Sequence, residues 1–210
     1  MATHTRTISP LLLKESKRNQ HQIMRITGGE ARGRLVPSPE GLAVRPTASK
    51  IRQAFFNILQ GKVGQCDFLD VFAGTGLMGL EALSRGANSL VSVEAERRMA
   101  RALEDSLKVL GFDGEVICGD YRHILSTLPP MKFDIVFADP PYKTNYPNGV
   151  VEMVELHDLL KPEGILAIEH KRDFRFDQPK GSLKVYDRRQ YGQTAVSFFR
   201  IESDEADILR

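Results

Sequence analysis

Cysteine is scarce in this sequence. Cys66 and Cys118 are the only two in 210 residues, far apart and outside any CxxC or Cys/His cluster. Such a pair excludes a disulfide-stapled scaffold and a structural zinc site, and both read as buried thiols in a reducing compartment. Long hydrophobic runs are missing as well. No apolar stretch approaches the ~20 residues that span a bilayer, and Leu11-Leu12-Leu13 is too short for the core of an export signal. A cytoplasmic protein with no membrane anchor and no metal is expected. Repeats and low-complexity tracts are also absent. What remains, 41% hydrophobic and 27% charged residues, suits one α/β domain with a small appendage.

The net charge of +2 conceals an uneven distribution. Residues 1–62 carry eleven Lys/Arg against three Glu, or +8, leaving eighteen basic and twenty-four acidic groups, or −6, for the rest. A basic arm on a mildly acidic body points to a polyanionic partner touched by the N-terminal part.

From Cys66 onward, strand-like runs alternate with helical patterns. "CDFLDVFA", "NSLVSVE", "EVICGD", Phe133–Ala138 and "GILAIEH" read as strands. Between them lie "LMGLEALSRG", "ERRMARALEDSLKVLG", "YRHILSTL" and a helix around Val150–Leu160. This rhythm implies a doubly wound, mostly parallel sheet with helices on both faces. "SLKVYDRRQY" and "TAVSFFRI", separated by Gly192-Gln193, read as a closing hairpin with an antiparallel edge strand. Ahead of the body, short strand-like pieces broken by glycines precede a helix with Ile51, Ala54, Phe55, Ile58 and Leu59 on one face, capped by Thr47 or Ser49. Residues 1–23 show no periodicity and are expected to be disordered.

In open α/β sheets, ligands bind at the carboxyl ends of the strands, where strand order reverses. Four acids stand at four successive strand ends: Asp70, Glu94, Asp120 and Asp139. Gly74-Thr75-Gly76-Leu77-Met78-Gly79 fits G-x-G-x-x-G, and Glu94 follows Gly74 by twenty residues. That is the pattern for a ligand with an adenosine, its ribose hydroxyls donating to the second-strand carboxylate. Asp70, four residues before the glycines, would repel a pyrophosphate but favour the ammonium and sulfonium of S-adenosylmethionine. Asp120 can accept from an adenine amino group.

The fourth strand ends in Asp139-Pro140-Pro141-Tyr142. Prolines stop strands, but that leaves the acid before them and the ring behind unexplained. An exocyclic base amine is a poor nucleophile, because its lone pair is delocalised into the ring. Acceptors for both amine hydrogens, the Asp139 carboxylate and the Pro140 carbonyl, would aim that lone pair at a methyl donor. Tyr142 offers a face on which the base stacks, worth ~1–3 kcal/mol.

D-x-F-A-G-T-G and D-P-P-Y together resemble class I S-adenosylmethionine-dependent amino-methyltransferases acting on nucleic acids. With "RITGGEARGR", "RPTASKIRQAFFNIL" and "GLEALSRGA" added, the chain resembles, from about Met24 to Ile201, the RsmD family of bacterial 16S ribosomal RNA guanine-N2 methyltransferases. The resemblance implies a Rossmann-like, seven-stranded methyltransferase domain over 63–203, a basic extension of hairpin plus helix over 24–62, and tails at 1–23 and 204–210. Asp70, Phe72, Gly74, Gly76, Glu94, Asp120 and Tyr121 would line the cofactor site. Asp139, Pro140 and Tyr142 would hold the target base, and Arg25, Arg32, Arg34, Arg45, Lys50 and Arg52 would contact phosphates of 16S ribosomal RNA within a small-subunit particle. The family begins near Met24, so residues 1–23 are expected to be additional to it. The rival readings are a DNA adenine-N6 methyltransferase, which D-P-P-Y alone would also fit, and an NAD-dependent oxidoreductase, which Asp70 and the D-P-P-Y loop oppose.

Overall fold

A computed structural model describes residues 24–37, 46–142, 145–177 and 181–202. Two short strands, β1 (Met24–Arg25) and β2 (Leu35–Val36), pair as an antiparallel hairpin and are followed by helix α1 (Pro46–Ile58). The body then alternates β3 (Asp67–Val71), α2 (Leu77–Ser84), β4 (Ser89–Glu94), α3 (Arg97–Leu110), β5 (Glu115–Cys118), α4 (Tyr121–Leu125), β6 (Phe133–Ala138), α5 (Tyr146–Leu156) and β7 (Leu160–Lys171). It closes with β8 (Leu183–Tyr191) and β9 (Thr194–Ile201). The large sheet has the order β5-β4-β3-β6-β7-β9-β8. Its first five strands run parallel, and β9 runs antiparallel to both β7 and β8. The order reverses between β3 and β6, the place at which such sheets bind ligands.

The apolar run Ile135–Ala138 in β6 follows from burial on both faces. Helices α1, α2 and α3 cover one face through Ile51, Phe55, Leu80 and Leu103, while α4 and α5 cover the other through Ile124, Leu125, Val150 and Val154. Phe55 is the hub of the first core. Its ring lies 5.0 Å from Phe56, 5.2 Å from Phe137 and 6.1 Å from Phe198, joining α1 to β6 and β9.

The N-terminal hairpin is locked onto the C-terminal ends of two helices, where carbonyls lack intrahelical partners. Glu30 N–H donates to Ser84 O at 2.8 Å, Ala31 N–H to Ser84 Oγ at 2.9 Å, and Ser84 Oγ–H to Gly28 O at 2.7 Å. Gly29 makes this approach possible. Its φ is +78°, and a Cβ there would sit 1.7 Å from Ser84 O. Arg34 closes the end of α3, donating to Val109 O at 2.6 Å and Leu110 O at 2.7 Å. Beneath the hairpin, the fully buried carboxylate of Glu81 accepts from Thr27 N–H (3.0 Å), the Thr27 hydroxyl, Arg52 Nε (2.9 Å) and Arg85 Nη2 (2.7 Å).

Several boundaries differ from the sequence expectation. Helix α5 opens four residues early, at Tyr146, because Pro147 suits a first turn. It stops at Leu156, before Asp158 at φ +48°, so Leu160 opens β7 instead of closing a helix. Helix α1 likewise starts at Pro46, which places Thr47 and Ser49 inside the first turn and not at the cap. The closing hairpin turns at Gly192-Gln193 as expected, with β8 at the edge and β9 inside the sheet. Cys66 is buried, and burial pushes its thiol up to about 12, whereas Cys118 on edge strand β5 is exposed, contrary to expectation. No helix of the described residues is long and apolar enough to cross a membrane.

Glu81→Ala would strand the Arg52 guanidinium, itself 4% exposed, without its counter-ion. Equilibrium urea unfolding is expected to show a loss of about 3–5 kcal/mol; a loss below about 1 kcal/mol would show that the hairpin holds without this carboxylate.

Candidate active site

The carboxyl ends of β3, β4 and β6 and the loops beyond them bring most of the expected residues together. Ala73 N–H donates to Val93 O at 3.0 Å, and Gly76 N–H to Ala73 O at 2.8 Å, closing the turn into α2. Gly76 has φ +73°, a left-handed backbone that favours glycine, and a Cβ there would stand 2.0 Å from Leu103 Cδ1. Gly74 differs: at φ +56°, a Cβ would meet nothing nearer than Phe72 O at 3.9 Å, so its outer face is open. Glu94 accepts from Gly74 N–H at 2.7 Å and from Glu96 N–H at 2.7 Å. The second-strand acid therefore fixes the glycine turn of the first strand. Each carboxylate oxygen carries two acceptor positions, so these bonds are compatible with further donors.

Asp70 lies in β3, four residues before Gly74. It is 1% exposed, and its Oδ2 accepts from Gly79 N–H at 3.1 Å. Burial pushes its carboxyl up to about 7; the Gly79 bond opposes that shift and the Glu94 charge adds to it. No salt bridge reaches Asp70 among the described residues. Asp120 is exposed and caps α4, its Oδ1 accepting from Arg122 N–H at 2.9 Å. Phe72, at φ +63°, stacks on Tyr146 at 5.6 Å and tilts onto Tyr121 at 4.8 Å. Tyr121 is 3% exposed, its pKa raised by burial, and its buried hydroxyl has no hydrogen-bond partner among the described residues. Tyr146 completes this ring trio and was not singled out from sequence.

An open glycine turn, a carboxylate beside it, three clustered rings with an orphaned hydroxyl and a buried acid lacking a cation form one donor set. It suits a ligand with a flat base, ribose hydroxyls and a positive group, the chemistry of S-adenosylmethionine.

The loop after β6 starts beside the end of β3, three residues before Gly74, where Asp139 N–H donates to Val71 O at 3.4 Å. Pro140 is buried and Tyr142 half-buried. The Tyr142 hydroxyl donates to Glu169 Oε1 at 2.6 Å and lies 3.4 Å from Thr194 Oγ1. Burial raises its pKa, as do the bond to Glu169 and the charges of Glu169 and Asp139. Glu169 (6% exposed) and Thr194 (6%) anchor this ring from β7 and β9, and sequence reasoning missed both. An acid at the end of the fifth strand continues the strand-end series, so Glu169 was findable; Thr194 carried no signal. His170 serves the fold, its ring nitrogens bonded to Lys171 O and Ser197 Oγ and its pKa lowered by burial.

Of the expected RNA contacts, those among the described residues gather at the N-terminal hairpin and α1. Arg52 is buried in its pair with Glu81 and also donates to Arg25 O at 2.9 Å. Arg34 is spent on the end of α3, and Arg25 donates to Gly33 O at 2.9 Å. Because each helix runs back against its strand, the ends of α2 and α3 lie opposite Asp139. Arg34 is therefore remote from the base loop, as is the exposed Arg32 beside it. Lys50 is exposed on the first turn of α1, and Arg45 lies outside the described residues. In a parallel sheet, the local charge of a segment does not say which end of the strands it covers.

The raised value for Asp70 has a consequence for stability. An unfolded aspartate ionises near 3.8 and the folded one near 7, so the folded state holds the extra proton in between. Stability therefore falls as pH rises through that window. In Asp70→Asn this fall should be missing from urea midpoints taken between pH 5 and 7.5; a wild-type slope in the variant would refute the assignment.

Residues 24–200 match the family described as Conserved hypothetical protein 95. The chain is 27% identical over 180 residues to Ribosomal RNA small subunit methyltransferase D of Escherichia coli (strain K12), covering 86% of this chain and 91% of that one. It is 31% identical over 154 residues to the Haemophilus influenzae protein of the same name, 71% of this chain and 80% of that one. Among solved structures, yhhF from Escherichia coli superposes with a TM-score of 0.77 at 29% identity, over 87% of this chain and 99% of that one. SMU.776, solved in complex with SAH, shares the fold at TM-score 0.61 and 15% identity, over 77% and 52%. Matched over residues 24–200, and with its glycine turn and D-P-P-Y loop following the neighbouring strands β3 and β6 at the switch point, this chain thus belongs to the RsmD family of class I methyltransferases.

Proposed function

We propose that the protein transfers a methyl group from S-adenosylmethionine to the exocyclic N2 of one guanine in 16S ribosomal RNA. The observation that carries this reading is the Asp139 N–H to Val71 O bond, which sets the base loop against the glycine turn. Methyl donor and acceptor amine would thereby meet across one hydrogen bond of the sheet. The names of the Escherichia coli and Haemophilus influenzae relatives support a ribosomal RNA substrate. The SAH bound by SMU.776 supports the cofactor.

S-adenosylmethionine, when bound, supplies an electrophilic methyl on a sulfonium. Glu94 would accept from its ribose hydroxyls, Asp120 from the adenine amine, and Phe72, Tyr121 and Tyr146 would enclose the base. The buried Asp70 carboxylate would favour the positive end, which in turn would favour its ionised form. On the acceptor side, the Asp139 carboxylate and Pro140 carbonyl orient the amine, Tyr142 stacks on the flipped guanine, and the amine proton leaves to Asp139 or water. Positioning and electrostatics account for the rate, without a covalent intermediate on the protein.

Labelled S-adenosylmethionine, small ribosomal subunits from cells lacking the protein, and duplex DNA in parallel test this reading. Label recovered in N2-methylguanosine is the expected result; label in N6-methyladenine of DNA would overturn it. Asp139→Ala should bind the cofactor normally while kcat falls about 10²–10³-fold, the usual cost of one preorganised polar contact. Full activity with cofactor bound would remove Asp139 from the mechanism.

A further inference from the structure

The anchor of Tyr142 extends into a strip on the open edge of the sheet. In antiparallel pairs, residues in register share a face, and alternate residues along a strand return to it. Lys171 pairs with Thr194, which pairs with Tyr191; Glu169 pairs with Val196, which pairs with Arg189. These two rows therefore lie on one face, and that face carries Glu169 and Thr194, the residues that touch the Tyr142 hydroxyl. Moving outward from the base loop, the side chains met are Lys171, Tyr191 and Arg189. Lys171 and Arg189 are exposed and Tyr191 is half-exposed.

We propose that this strip, Lys171, Tyr191 and Arg189, holds the single-stranded RNA flanking the target base, with the two cations on phosphates and the ring under a neighbouring base. It rests on the RNA-methylating reading above and says where that RNA lies. Cations interleaved with an aromatic ring are the chemistry that grips single strands irrespective of sequence. The acid on this part of the edge, Asp187, pairs with Arg189 at 2.8 Å, the arginine side chain 57% exposed and the aspartate 24%. Such a pair contributes little and can be exchanged for a phosphate. Around the same strand ends positive charge is crowded. Arg188 is bonded to Arg172 O and Phe174 O, keeps a buried Nε without a hydrogen-bond partner among the described residues, and has its pKa lowered by burial and by the charge of Arg175. Asp173 and Asp177 offset part of this charge, the latter bonded to Asn148 at 2.8 Å. The strip also replaces the hairpin arginines, which lie at the far end of the sheet.

The test is fluorescence anisotropy of the full chain on transcribed small-subunit ribosomal RNA across a series of KCl concentrations. Lys171→Gln/Arg189→Gln is expected to reduce the slope of log affinity against log salt by about 1.4–1.8, two phosphates' worth. Lys171→Arg/Arg189→Lys should restore it, which a merely structural role would not require. Tyr191→Ala should weaken binding about tenfold with the slope unchanged. Affinity for S-adenosylmethionine should be unaffected in all of them, and Lys108→Gln, an exposed cation on α3, should behave as wild type. Variants with wild-type slope and affinity on RNA that the protein does methylate would overturn the strip alone. A wild-type protein that binds S-adenosylmethionine but methylates only DNA would overturn the strip together with the reading beneath it, and is recognised before any variant is made.

Discussion

The buried carboxylate of Glu81 holds three separately encoded pieces of this molecule together. It sits in α2 yet receives Thr27 from the hairpin, Arg52 from α1 and Arg85 from the end of its own helix. A lone charge at 0% exposure would be prohibitively costly; surrounded by two guanidiniums, a backbone N–H and a hydroxyl, it is compensated. Its geometry seats α1 against β6 and β9, where Phe55 meets Phe137 and Phe198. Helix α1 could not cover that face in another orientation without breaking the pair. The first core and the hairpin's position both trace back to one side chain.

The hairpin solves a second problem, that of helix ends. In a doubly wound sheet, the helices terminate at the pole away from the ligand, where their last carbonyls need donors. Backbone N–H groups of Glu30 and the side chain of Arg34 supply them for α2 and α3. The "RITGGEARGR" segment therefore belongs to the scaffold. Gly29 lets two backbones touch, and Arg25 and Arg34 donate to backbone carbonyls. Exposed cations also stand on the edge strands, at Lys171 and Arg189.

Alternation of strands and helices made the sheet legible, because parallel strands buried on both faces read as unbroken apolar runs. The strand-end acids were legible because a carboxylate beside a buried apolar run is costly unless donors meet it, as Gly79 N–H meets Asp70 and Gly74 N–H meets Glu94. Asp70, Glu94 and Asp139 accordingly stand around the switch point. What could not be read is long-range pairing. That Arg52 meets Glu81, or that Thr194 from the last strand lies beside Tyr142, depends on packing between segments 29 and 52 residues apart, and neither local charge nor periodicity encodes it. Helix α5 was displaced by four residues because its apolar period continues into Leu159 and Leu160, while the break at Asp158 is a matter of one dihedral.

The position of β9 bears on the order in which the protein becomes competent. This strand is translated after every other described element, yet it lies inside the sheet between β7 and β8. It also brings Thr194 to the ring of Tyr142, which was made some fifty residues earlier. The glycine turn, Glu94 and Asp70 are all complete once β6 has been made. During synthesis the glycine turn with its acids can assemble first, and the anchor of Tyr142 stays unfinished until β9 slides into place. A chain in which β9 has not yet joined the sheet thus carries the glycine turn and its acids without the Thr194 side of the Tyr142 anchor.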